Sequence, residues 1–250
     1  MIDRNTFAEL ARSAGLLFRQ PRTYLQYAAK VLQPAQRSYR RRFQMDLEGW
    51  IAYHQRQVVF DQCSWMGVRT LKNPLDVWIY QELIHRIQPE VIVEIGSASG
   101  GSTLYFAQLC DLLGKGAVIS VDIDRSTYQV SHARITTVTG NSSSPEVVAQ
   151  VYELCAGRTA LVIHDGDHHK PQVLRDLRAY ADLVSLNSYL IVEDGIVDLF
   201  RLRDGFWGLE DGPLAAVEVF LRDDPRFVVD QACERYLLTY NPRGYLKRVR

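Results

Sequence analysis

The sequence predicts an α/β protein: a doubly wound, mostly parallel sheet of seven strands, with an antiparallel pair at its C-terminal end and a helical extension at its N-terminus. Three observations carry this expectation. From Asn73 onward, apolar runs of strand length alternate with helical patterns, and such alternation builds a parallel sheet covered on both faces. Two of the runs, Ala160-Leu161-Val162-Ile163 and Tyr189-Leu190-Ile191-Val192, end in acidic clusters and are joined by a helical segment, so both clusters emerge at one edge of the sheet. The last apolar runs are separated by only a few residues, too few for a crossover, which makes them antiparallel.

In residues 1–60, Phe7, Leu10 and Ala11, then Tyr24, Leu25, Ala28, Val31 and Leu32, recur at helical spacing, interrupted at Gly15, Pro21 and Pro34. Two or three short amphipathic helices are expected there. Pro74 to Ile87 reads as a helix, Val91 to Ile95 as a buried strand, Ser102 to Leu113 as a helix and Val118 to Asp122 as a second strand. A short strand at Thr136 to Thr139, a helix at Pro145 to Cys155, the strand at Ala160, a helix from Pro171 to Leu183 and the strand at Tyr189 continue the alternation. After a helix at Leu214 to Leu221, Phe227 to Val229 and Tyr236 to Tyr240 are expected to pair at the sheet edge. The chain is thus read as a basic helical extension, residues 1–60, and an α/β domain, residues 61–250.

With 250 residues, 47% hydrophobic and 23% charged, the composition is that of a soluble globular protein rather than a disordered one. The net charge of zero hides an asymmetry: residues 1–44 hold nine Arg or Lys against two acids, so they carry +7 and the remainder −7. This basic face, densest at Arg40-Arg41-Arg42, suits a solvated helix, an arm packed on a second copy in a homo-oligomer, or peripheral contact with an anionic membrane surface. Nucleic acid is not an expected partner, because the basic patch is confined to one end and no recognition motif accompanies it. Cys63, Cys110, Cys155 and Cys233 are scattered, which suits reduced thiols in a cytoplasmic protein. No apolar run approaches the roughly 18 residues that span a bilayer.

The chemistry is concentrated at strand ends. His164-Asp165-Gly166-Asp167-His168-His169 follows the Ala160 strand and Glu193-Asp194 follows the Tyr189 strand; together they read as a metal site. The first strand runs through Glu94-Ile95-Gly96-Ser97-Ala98-Ser99-Gly100-Gly101-Ser102 into a helix, where a glycine turn lets a ligand approach the backbone. Its spacing is GxxxGG, with Ala98 in place of the second glycine of the dinucleotide fingerprint, which argues against a pyrophosphate loop. The second strand ends at Asp122, 28 residues after Glu94, where nucleoside-binding α/β folds place the acid that accepts ribose hydroxyls.

On these residues, with Trp65-Met66-Gly67, Lys72-Asn73-Pro74-Leu75-Asp76-Val77-Trp78, Ser188 to Asp194 and Tyr240-Asn241-Pro242-Arg243-Gly244-Tyr245-Leu246-Lys247, the chain resembles class I S-adenosylmethionine-dependent methyltransferases. The closer resemblance is to the cephalosporin hydroxylase and rhamnosyl O-methyltransferase family of metal-dependent O-methyltransferases. It runs from Trp65 to Arg248. It implies that Glu94, Gly96 and Ser102 line the methionine part of the cofactor, that Asp122 binds the ribose, and that Asn141, Ser142 and Ser143 lie near the adenine, with Asp165 close to the cofactor. Asp76 and Tyr80 would reach its amino-acid end. Asp165, Glu193 and Asp194 match the family's Mg²⁺ ligands, and an all-oxygen set suits that hard cation; Asp167 competes with Asp165 for the first position. His168 stands where relatives carry a general base, a task suited to an imidazole, while His164 and His169 are given structural roles.

The expected reaction is methyl transfer to a hydroxyl of a small molecule or glycan, a sugar hydroxyl being preferred. The loop Gly205 to Pro213 carries the glycines and aromatic rings of a lid. Zinc fits less well, because the adjacent His168 and His169 do not easily face one ion. An iron oxygenase, the activity in the family's label, needs two imidazoles and one carboxylate, whereas Glu193-Asp194 supplies only carboxylates. The remaining alternative is a non-catalytic nucleoside-binding protein.

Overall fold

The computed structural model describes residues 44–199 and 211–250, together with Leu10, Ala11, Ala14, Phe18 and residues 20–32. The chain forms two compact units, 1–52 and 53–250. In the first, helix α1 spans Pro21–Leu32. Pro21, where a break between helices was expected, is the first residue of this one, its missing N–H costing nothing at that position. Phe7 and the basic run at residues 40–42 lie outside the described residues. Helix α2, Leu47–Tyr53, leads into a π-helical turn at His54–Val59 and a last turn at Phe60–Gln62.

A short hairpin of β1, Ser64–Trp65, and β2, Val68–Arg69, precedes the main fold. The following elements are α3 Pro74–Ile87, β3 Val91–Ile95, α4 Gly101–Leu113, β4 Ala117–Asp122, β5 Ile135–Thr139, α5 Pro145–Cys155, β6 Ala160–His164, α6 Lys170–Tyr180, β7 Tyr189–Val192, α7 Ile196–Leu199, α8 Pro213–Asp223, β8 Phe227–Val229 and β9 Tyr245–Arg248. Helix starts follow local chemistry: the Asn73 side chain accepts the Leu75 N–H and the Ser144 side chain the Val147 N–H, each just before a proline.

The seven strands lie in the order β5-β4-β3-β6-β7-β9-β8. The first five are parallel, β9 runs antiparallel to β7, and β8 runs antiparallel to β9. All five residues of β3 are buried, as a central parallel strand requires. Their alternation feeds two cores: Val91, Val93 and Ile95 pack with α5, α6 and α8, while Ile92 packs with α3 and α4. Glu94 shares the Ile92 face, which aims its carboxylate at α4.

One element differs from expectation. Tyr236 to Tyr240 is not a strand; the partner of β8 is Tyr245–Arg248, inserted between β7 and β8. Leu237 adopts φ +65° and is exposed, and the hydrogen bonds of the next residues go to Asp76. Its carboxylate accepts from Thr239 Oγ1 at 2.5 Å, the Tyr240 N–H at 2.9 Å and the Tyr245 hydroxyl at 2.8 Å, besides Asn73 Nδ2 at 2.8 Å. A side chain on α3 therefore outcompetes a sheet ladder for this segment.

Candidate active site

The carboxyl ends of β3, β4, β6 and β7 open into a cavity of about 440 Å³. Its floor is the loop after β3, where Gly96 has φ +84° and Ala98 φ +43°, and one wall comes from Thr70, Leu71 and Lys72, ahead of α3. The far wall is built by Ile123, Asn141, Ser142 and Gln172. Asp165, His168 and Asp194 stand at the rim between β6 and β7.

These three are brought together from two strand ends: one ligand atom of each lies within 4.8 Å of the others. His168 Nε2 is 3.0 Å from Asp194 Oδ2 and 3.7 Å from Asp165 Oδ1. Burial disfavours the imidazolium, but the hydrogen bond and charge of Asp194, with the charge of Asp165, raise the pKa of His168 above its ordinary value. Asp194 itself adopts φ +58°, and its N–H donates to Asn241 Oδ1 at 3.1 Å. Asn241 is fully buried and its amide also donates to the Tyr80 hydroxyl at 2.7 Å, so the C-terminal loop fixes the turn that aims Asp194.

Glu193 lies behind this cluster. Its Oε1 accepts a hydrogen bond from Lys72 Nζ at 2.7 Å, and the same ammonium donates to Asp165 Oδ2. Burial, with mutual repulsion of Asp165 and Glu193, raises the pKa of Glu193; burial, partly offset by Lys72, raises that of Asp165. Burial works against the Lys72 ammonium too, yet the two carboxylates outweigh it and keep the ammonium charged. The donor set fits a hard divalent cation. Three carboxylates, two of them braced by one ammonium, stand there, and every carboxylate offers oxygen.

Asp165 and Asp167 both line the cavity but have different partners. Asp167 is half exposed, and its Oδ1 accepts the His169 N–H at 2.8 Å and meets His169 Nδ1 at 2.5 Å; it is the turn's own cap, whereas Asp165 faces Asp194. The other imidazoles are also spoken for: His164 Nε2 lies 3.0 Å from the buried Asp176. Among the described residues the cluster therefore holds a single imidazole, so the two-imidazole set of an iron oxygenase is not assembled there.

Four residues expected at the cofactor lie outside the lining of the main cavity. Glu94 does not line the cavity; it is fully buried, with both oxygens taken by the hydroxyls of Ser102 and Thr103 from the first turn of α4. Ser143 sits outside the lining, held by Asn141 Oδ1 and Gln172 Nε2. Asp76 is consumed by the C-terminal segment, and Tyr80 faces a separate apolar cavity of about 190 Å³. Gly96, Ser102, Asp122, Asn141, Ser142 and Asp165 do line the main cavity, although Asp122 Oδ2 already accepts the Ser97 and Ala98 N–H groups at 2.8 and 2.9 Å. The aromatic part of the expected lid, residues 205–210, lies outside the described residues.

In the sequence, Lys72 and Asn241 figure only as parts of longer motifs. Nothing local marks either as a site residue, because their partners lie 93, 121 and 47 residues away.

Comparison with known proteins gives a consistent picture. A family model described as Rhamnosyl O-methyltransferase/CmcI matches residues 57–249. The rhamnosyl O-methyltransferase of Mycobacterium leprae (strain TN) is 30% identical over 198 residues, covering 76% of this chain and 85% of that protein. The protein of the same name from Mycobacterium bovis (strain BCG / Pasteur 1173P2) is 27% identical over 210 residues, covering 80% and 84%. Among solved structures, CmcI with Mg and SAM superposes with a TM-score of 0.58 at 26% identity, covering 76% of this chain and 78% of that one. The seven-stranded sheet is that of the class I methyltransferase fold.

Proposed function

From the premise that this chain belongs to the Rhamnosyl O-methyltransferase/CmcI family, and is a methyltransferase, we propose that it moves the methyl group of S-adenosylmethionine to a sugar hydroxyl. The observation that carries the reading is the convergence of Asp165, Asp194 and His168 at the rim of a cavity floored by the glycine turn. Asp165, Glu193 and Asp194 would hold Mg²⁺. When bound, that ion supplies Lewis acidity to an acceptor hydroxyl, and S-adenosylmethionine supplies the electrophilic methyl group.

The residues of this chain do the rest. The methionine part would lie along the turn in which Gly96 and Ala98 both take positive φ, and Ile123, exposed beside Asp122, offers an apolar wall for a base. Asp122 would exchange part of its hold on the loop for the ribose hydroxyls. His168 Nε2, aimed at the point shared by Asp165 and Asp194, takes the acceptor's proton. The hydroxyl oxygen then forms a bond to the methyl carbon as the carbon–sulfur bond breaks, leaving S-adenosylhomocysteine; alignment of the reactants does most of the work. A sugar hydroxyl with an oxygen on the neighbouring carbon is the preferred acceptor, since the named relatives are rhamnosyl enzymes.

The test is methyl transfer from radiolabelled S-adenosylmethionine to a panel of alkyl and aryl rhamnosides. Transfer that EDTA stops and Mg²⁺ restores is expected. Full transfer in EDTA would remove the metal from the scheme, and failure to bind S-adenosylmethionine in a calorimeter would overturn the reading. A second expectation concerns the base: His168→Ala lowers kcat by about 10²-fold. In the unaltered enzyme, activity rises with pH as His168 loses its proton; in His168→Ala that acidic limb disappears. An unchanged rate from about pH 6 to about pH 9 would exclude His168 as the base.

A further inference from the structure

We propose that Lys72 is a positioning residue for the metal site, a fixed internal cation that braces Asp165 and Glu193 from behind and stays in place when a divalent cation binds. This rests on the metal-dependent reading above. Lys72 precedes Asn73, whose side chain caps α3 and donates to Asp76 and, at 3.0 Å, to the Leu238 carbonyl; two residues upstream, the Thr70 N–H donates to the Cys63 carbonyl at 3.1 Å. The stem is therefore anchored on both sides, and the residue is 4% exposed.

The division of oxygens then separates a brace from a competitor. Lys72 takes Oδ2 of Asp165 and Oε1 of Glu193. The other oxygen of Asp165, Oδ1, is the one that lies 3.7 Å from His168 Nε2. One carboxylate thus serves the ammonium with one oxygen and leaves the second for the cavity side. Expelling Lys72 would leave Asp165 Oδ2 and Glu193 Oε1 without the donor that each now has. A lysine suits the role as a compact charge with three donors, and partners that orient metal-ligating carboxylates commonly govern affinity.

The experiment measures Mn²⁺ binding by calorimetry and by electron paramagnetic resonance in the full-length protein and in Lys72→Met, with thermal unfolding of both. The proposal expects Lys72→Met to unfold cooperatively, to bind Mn²⁺ about 10- to 100-fold more weakly, and to give an altered spectrum of the bound ion. Equal or tighter binding in a folded Lys72→Met protein would show a competitor and overturn the proposal. Failure of the unaltered protein to bind Mn²⁺ would instead overturn the metal reading on which it rests, and the proposal with it. Should Lys72→Met not fold, acetic anhydride labelling of the unaltered protein decides: Lys72 unreactive with and without Mg²⁺ supports the brace, and labelling that appears on Mg²⁺ addition overturns it.

Discussion

Asp194→Asn should lower methyl transfer by about 10³-fold or more, a loss of about 4 kcal/mol in transition-state stabilisation, while leaving the protein folded. The fold is expected to survive because the change preserves what the backbone needs. Asp194 holds φ +58°, a region that asparagine tolerates as well as aspartate, and the N–H that donates to Asn241 is untouched. What disappears is a formal charge at the point where Asp165, His168 and Asp194 meet. One anionic oxygen ligand is replaced by a neutral amide, and Mg²⁺ affinity should weaken with it. A second reading comes from His168. Burial lowers its pKa, and Asp194 is the first of the groups that reverse this, so the neutral amide lets the acidic limb of any residual activity move to lower pH. Calorimetric binding of S-adenosylmethionine should change little. A folded Asp194→Asn protein with the original rate and the original Mg²⁺ requirement would remove Asp194 from the site.

What could be read from sequence depended on whether a residue's role is set by its neighbours in the chain. The strands β3, β4, β6 and β7 were legible because a parallel strand buried on both faces must be a continuous apolar run, and α3, ahead of them, and α5 because each opens with a capping side chain and a proline. Asp165, His168 and Asp194 were legible for a related reason: parallel strands bring their carboxyl ends to one edge whatever their side chains. The misplaced strand shows the opposite case. Tyr236-Leu237-Leu238-Thr239-Tyr240 is locally the better strand sequence, and Tyr245-Leu246-Lys247-Arg248 the poorer, but Asp76 collects the donors of the former from more than 160 residues away. Glu94 behaved likewise. The family resemblance implied a cofactor contact there, and the two hydroxyls that hold its carboxylate come from the next helix. Lys72 was silent because an ammonium gains a site role only from carboxylates that folding delivers, and its own segment carries no trace of them.

Gly96→Ala should cost about 4 kcal/mol or more and lower the melting temperature by about 10 °C. A β-carbon at residue 96 would sit 2.0 Å from the Asp165 carbonyl oxygen, 2.5 Å from its carbon and 2.8 Å from Gly166 Cα. All three are backbone atoms, so no rotamer change relieves the contact. Nor can the strands part cheaply, because the Asp165 N–H donates to the Ile95 carbonyl at 2.7 Å and the Gly96 N–H to the Val121 carbonyl at 2.8 Å, tying the ends of β3, β4 and β6 together. The positive φ adds about 1 kcal/mol for any residue with a β-carbon. Gly114→Ala isolates that last contribution: its φ is +70°, but nothing lies within 4 Å of the added carbon, and a loss of about 3 °C is expected. The difference between the two variants measures the close approach alone. It also bears on chemistry, since the nearest atoms that the added carbon would displace belong to Asp165. Any folded fraction of Gly96→Ala should therefore bind Mg²⁺ poorly, whereas Gly114→Ala should bind it normally. Equal melting temperatures for the two variants would mean that β3 and β6 do not meet at this distance, and the packing that sets Asp165 opposite Asp194 would have to be redrawn.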